Sequence, residues 1–132
     1  MKRLQLILLV SCSMILCSAS CSKLSTEHEE ARNIEILDID FDKLKDGEFL
    51  GYYEGGMYQW RENECKVNIE TSSVTSIELV SSAADYTQAF LDTLYGRIIK
   101  NQTLQVDVVS GATLDSKACM KAVEDALLKA EN

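Results

Sequence analysis

The 132-residue chain predicts one α+β domain, a mostly antiparallel sheet with two packed helices. Three observations carry that prediction. Apolar residues alternate with period two over residues 66–71 and 74–80, as half-buried strands require. The period lengthens to that of a helix over residues 84–100 and 114–130. The length suits one small domain, and 46% apolar residues argues against wholesale disorder.

Residues 1–20 read as an export signal. Lys2 and Arg3 supply the positive start. Residues 4–16 are apolar, interrupted only by Gln5, Ser11, Cys12 and Ser13. Ser18, Ala19 and Ser20 supply small residues before Cys21. The apolar run is shorter than the roughly 20 residues of a membrane-spanning helix. The small residues before Cys21 resemble a bacterial lipobox, which implies a lipidated N-terminal Cys21 after cleavage. Ser18 departs from the aliphatic residue that pattern prefers. Leu16 would place a bulky residue at the cleavage site before Cys17, which makes Cys17 the poorer anchor. Ordinary cleavage nearby, giving a secreted protein, is the alternative.

Loss of residues 1–20 leaves 112 residues with a charge of −10, and three cysteines, Cys21, Cys65 and Cys119. An exported chain can form a disulfide, whereas two buried, inert thiols are the plainer expectation for Cys65 and Cys119. The acidic balance argues against a nucleic-acid binder, because no basic stripe is present to neutralise phosphates. The absence of Pro excludes a polyproline ligand segment.

Residues 21–33 are polar and charged, and read as a spacer before a domain over residues 34–132. The only histidine, His28, lies there without a neighbouring Cys, so a solvated side chain is expected rather than a metal ligand. Ile34, Ile36, Leu37, Ile39 and Phe41 alternate with one phase slip and predict a strand. Asp46-Gly47 marks a turn. Residues 48–54 predict the next strand, ended by Gly55-Gly56. The runs at 66–71 and 74–80 are joined at Ser72-Ser73 as a hairpin. Tyr86, Phe90, Leu94 and Ile98 recur every four residues along the first helix, with Gly96 costing it about 1 kcal/mol relative to Ala. Leu104, Val106 and Val108 predict a further short strand. Ala118, Ala122, Val123, Ala126, Leu127 and Ala130 form one face of the closing helix.

The chemistry lies where that last strand meets the closing helix, in Asp107-Val108-Val109-Ser110-Gly111-Ala112-Thr113. A helix start exposes unpaired N–H groups and the positive end of the dipole. Gly111 and Ala112 are small enough for a phosphate to approach the backbone, and Ser110 and Thr113 add hydroxyls. Thr113 is also a suitable N-cap, and on physical grounds alone capping outweighs phosphate binding.

This segment resembles the FMN-binding domain family of the flavin subunits of Rnf and sodium-pumping NADH:quinone oxidoreductase complexes. The family pattern Asp-x-x-Ser/Thr-Gly-Ala-Thr/Ser is complete as Asp107, Ser110, Gly111, Ala112 and Thr113. The stretch from Asp46 to Gly56, the hairpin and the closing helix also fit, so the likeness covers roughly residues 45–128. The resemblance implies a phosphate-binding strand-to-helix turn and FMN as cofactor. It further implies that a dedicated flavin transferase, using FAD, esterifies the FMN phosphate to Thr113. Asp107 and Ser110 would then serve transferase recognition or loop geometry. Three departures stand out. Asp115-Ser116 replaces the usual hydroxyl pair, and Asp115 would repel a nearby phosphate. Residues 81–85 lack the family's His and Gly, and the hairpin lacks its Gly.

The leading expectation is an extracytoplasmic flavoprotein, tethered to a bacterial membrane through Cys21. It would pass electrons between membrane redox donor and acceptor proteins. Tyr52, Tyr53, Tyr58 and Trp60 could stack on the flavin ring, although sheet or surface packing is their plainer role. The chain shows no further catalytic constellation, which favours an electron carrier over an independent reductase. A noncatalytic lipoprotein module with unmodified Thr113 is the third reading.

Overall fold

The computed structural model describes residues 21–131, so the export-signal reading of residues 1–20 lies outside it. Residues 21–32 form helix α1. A 3-10 turn, η1 (Phe41–Lys43), follows. Strands β1 (Gly47–Tyr53), β2 (Asn63–Glu70) and β3 (Ser73–Ser82) come next. Helices α2 (Gln88–Asn101) and α3 (Thr113–Glu131) complete the chain. The strands form one antiparallel sheet in the order β1-β2-β3, which is the α+β architecture the sequence predicts.

The central strand β2 buries Asn63, Cys65, Val67 and Ile69 on one face, every second residue. Helix α3 covers β1 and β2. Its buried Ala118, Ala122, Ala126 and Ala130 recur every four residues and form a stripe without bulk. Gly51 of β1 lies under that stripe. A Cβ there would stand 1.9 Å from the Ala122 carbonyl oxygen, so only glycine permits this approach. Helix α2 turns Leu91, Leu94, Tyr95 and Ile98 into the core from the β3 side. Thr87 caps it, accepting a hydrogen bond from Phe90 N at 3.3 Å.

The β2–β3 turn falls one residue earlier than expected, at Thr71-Ser72, with φ of +54° and +55°. Two left-handed residues match the twist of a hairpin, but glycine or asparagine usually supplies them. Here the 44–46 segment holds the turn. Ser72 N donates to Asp46 Oδ1 at 2.9 Å, and Ser72 Oγ donates to the Leu44 carbonyl at 3.1 Å.

Two predicted strands are absent from the sheet. In residues 34–41, backbone groups are met by side chains instead of a strand. Lys117 Nζ donates to the Ile34 carbonyl at 3.0 Å, and Lys121 Nζ to that of Glu35 at 3.2 Å. Gln105 Nε2 donates to the Ile36 carbonyl at 3.1 Å, and Leu37 N donates to Glu124 Oε2 at 2.8 Å. In residues 104–109, Arg97 Nη1 donates to the carbonyls of Asp107 and Val108 at 2.7 and 3.0 Å. The Gln102 side chain, not this segment, pairs with the edge of β3. Its Oε1 accepts from Val74 N at 2.8 Å and its Nε2 donates to Val74 O at 2.9 Å.

The polar segment read as a spacer is helical and packs on the domain. Glu27 and Ala31 of α1 are both buried. Cys65 and Cys119 are free, wholly buried thiols. Burial pushes each up to about 12, which leaves both protonated at neutral pH.

Candidate functional site

Residues 109–112 form a tight turn in which Ala112 N donates to the Val109 carbonyl at 3.0 Å. Gly111 occupies the third position with φ +77°, the left-handed conformation that such a turn demands of that residue. A Cβ on Gly111 would meet open space, so its backbone angle, not crowding, selects glycine.

The turn is locked from inside α3. Ser116 is wholly buried. Its Oγ accepts from Val109 N at 3.0 Å and donates to the Ala112 carbonyl at 2.7 Å. The sequence pattern placed Ser116 among the departures. It is instead the hydroxyl that joins the two ends of the turn.

Thr113 is the first residue of α3, and the first helical bond starts at Ala112, which places the cap there. The Ala112 carbonyl accepts the first helical bond, from Ser116 N at 2.9 Å. This corrects the expectation that Thr113 caps the helix. A methyl group cannot accept the N–H groups of the first turn, which an N-cap oxygen ordinarily satisfies. Ala112 therefore leaves the first-turn N–H groups and the positive dipole end without a side-chain acceptor of its own. Thr113 itself is exposed.

Gly111, Ala112, Thr113, Leu114 and Asp115 line a cavity of about 380 Å³ together with Arg32 and Arg61. A larger groove of about 640 Å³ lies between β3 and α2, away from the motif. The smaller cavity is the chemically furnished one. Arg32 stands at the end of α1 and Arg61 just before β2, so neither was visible as a site residue from the motif. Arg61 is 12% exposed and ion-paired through Nη1 to the buried Glu27. Its Nε stands 3.4 Å from Asp115 Oδ1. The carboxylate expected to repel a phosphate is thus partnered by a cation in the same cavity wall.

Of the predicted site residues, Gly111, Ala112 and Thr113 meet at the cavity. Ser110 and Asp107 are exposed and do not line it. Cys21 is exposed at the start of the described residues. The aromatics do not line this cavity. Tyr58 and Trp60 stack on each other, with centroids 4.7 Å apart. Tyr52 donates to Glu62 Oε1 at 2.7 Å, a bond that raises its pKa. Among the described residues no metal-binding cluster occurs, and no helix is long and apolar enough to cross a membrane. His28 is 41% exposed beside Glu27.

The fold and the site define a small α+β domain with a cavity at the start of α3, lined by two arginines and by the exposed residue Thr113. A sequence model of the FMN-binding domain matches residues 33–128. The chain belongs to the FMN-binding domain family, and FMN is its cofactor. It is also similar to a urocanate reductase of Eggerthella lenta, 42% identical over 64 residues. That match takes in 47% of this chain but only 11% of the reductase. The lining fits the cofactor's phosphate, with Arg32, Arg61, Thr113 and a helix start whose cap residue, Ala112, has no side-chain acceptor.

Proposed function

We propose that the protein is an extracytoplasmic electron-transfer flavoprotein, carrying FMN on Thr113 and tethered to the membrane through Cys21. One observation carries the covalent reading. Thr113 is an exposed residue at a helix start whose cap is Ala112, so its hydroxyl does not serve as the cap.

In the attachment step, Thr113 Oγ1 bonds to the FMN phosphorus of FAD. The phosphoanhydride bond to the AMP half breaks, AMP departs with the electron pair, and the hydroxyl proton passes to solvent. A flavin transferase supplies this reaction. The chain's part is to present the hydroxyl and hold the resulting phosphodiester against the α3 start. Exposed Asp107 and Ser110 suit a surface that the transferase reads. Bound FMN supplies the redox chemistry, and the protein supplies position and charge around it.

Export and anchoring rest on the order of residues 1–21. Cys21→Ser should release the protein from the membrane fraction; retention would refute the anchor. A second reading, reduction of a substrate by this chain itself, draws on the likeness to a reductase. Turnover of a soluble acceptor by the isolated reduced protein would favour it. The covalent reading is tested by co-expression with a flavin transferase. The intact mass should rise by one FMN less one water, and Thr113→Ala should abolish the rise. An unchanged wild-type mass under those conditions would overturn it.

A further inference from the structure

We propose that Arg32 and Arg61 form the basic wall that holds the FMN phosphate, which makes α1 part of the flavin site. The inference rests on the Thr113 reading above and adds two binding residues that lie outside the motif. Arg32 and Glu27 also precede residue 33, where the family match begins.

Both arginines line the cavity that holds Gly111 to Asp115. Arg61 is fixed from two sides, by Glu27 through Nη1 and by Asp115 near Nε. A guanidinium has five N–H donors in a rigid fork, so these two partners leave donors for a third anion. Glu27 is only 2% exposed, and its Oε2 accepts no hydrogen bond among the described residues. Such a buried carboxylate is a costly way to stabilise a fold, because an apolar pair of similar size does as well or better. Its effect here is to aim Arg61, which makes Glu27 a positioning residue. Arg32 is held through its backbone. Lys117 Nζ donates to the carbonyls of Arg32 and Ile34, the latter at 3.0 Å, and so pins the end of α1 beside the α3 start.

The charge balance points the same way. A phosphodiester brings one negative charge to a cavity that already contains Asp115. Arg32 and Arg61 offset Asp115 and the Glu27 carboxylate paired to Arg61, so the phosphodiester's charge is met by the helix dipole and by the N–H donors the arginines keep. A bidentate guanidinium contact also restricts the phosphate's orientation, which a lysine would not do.

The test uses the unmodified full chain and inorganic phosphate as probe, with amide NMR shifts of Gly111–Asp115 as readout. Wild type should show saturable shifts that sodium chloride at equal ionic strength does not reproduce. Arg32→Gln, at an exposed position, should keep the fold and weaken phosphate binding about tenfold. Arg32→Lys should restore part of that loss. Arg61→Gln combined with Glu27→Gln, which avoids stranding the buried carboxylate, should weaken binding by a similar or larger factor. Glu27→Gln alone should weaken it less, with helicity unchanged. Wild-type affinity in Arg32→Gln and in the double variant, or no phosphate binding by wild type, would overturn the clamp. The FMN mass gain reports separately on Thr113. A mass gain without phosphate binding refutes the clamp alone, and phosphate binding without a mass gain refutes covalent attachment alone.

Discussion

Ser116→Ala removes one oxygen from a wholly buried position and breaks two hydrogen bonds at the 109–112 turn. The two bonds are unequal in consequence. The Ala112 carbonyl keeps its bond from Ser116 N at 2.9 Å, so it is not orphaned. The half-buried Val109 has no such second partner for its N–H in the turn. An unsatisfied buried donor costs about 1–3 kcal/mol. Ala returns up to ~0.5 kcal/mol through its better helix propensity. The net expectation is a loss of roughly 0.5–2.5 kcal/mol, set against the ~5–15 kcal/mol of a typical domain. Urea denaturation should show a lower midpoint with an unchanged slope. The flavinylation rate should fall as well, because residues 109–112 lose their inner tie to α3. A midpoint change worth less than about 0.5 kcal/mol, with normal flavinylation, would refute this account of the turn.

Gly51→Ala should be more severe, because its Cβ would meet backbone at 1.9 Å and α3 must shift; overpacking of this kind costs about 1–3 kcal/mol or more by denaturation. Gly111→Ala should cost only about 1–2 kcal/mol, since the space is open and only the left-handed φ resists it. A reversed order of these two glycines in a melting experiment would contradict the geometry. Burial raises Cys65 and Cys119 from an ordinary 9.0 to about 12 in the folded state. Their contribution to stability is full below pH 9 and is lost as pH rises toward 12. Mass-spectrometric mapping after alkylation at pH 8 should find both thiols unlabelled when folded and labelled in urea. Labelling of either thiol in the folded protein would contradict their burial.

Periodicity made the sheet and helices legible because α3 and the hairpin bury one regular face each. Alternation misled over residues 34–41 and 104–109 for a physical reason. It reports one-sided burial, as at Ile39, Phe41 and Leu104, and carries no information about hydrogen-bond partners. Those partners are the ends of Lys117, Lys121, Gln105 and Arg97, which no local pattern reveals. Helix α1 was hidden by its polar composition. Its inward Glu27 finds Arg61 thirty-four residues away, a non-local pairing that composition reads as solvated charge. At the site, Gly111, Ala112 and Thr113 of the motif line one cavity. The motif could not mark Arg32 and Arg61, which reach the cavity from other elements. Asp115 looked adverse to a phosphate for the same reason, because its partner Arg61 lies far off in sequence.

The central claim is that the Thr113 hydroxyl, exposed at an Ala-capped helix start, is the attachment point for FMN. Fragment-ion sequencing of the protein co-expressed with a flavin transferase tests it most directly. The account predicts one FMN-phosphoester on Thr113, kept in Thr113→Ser and absent in Thr113→Ala. Flavin attached at another residue, or retained covalently in Thr113→Ala, would contradict it.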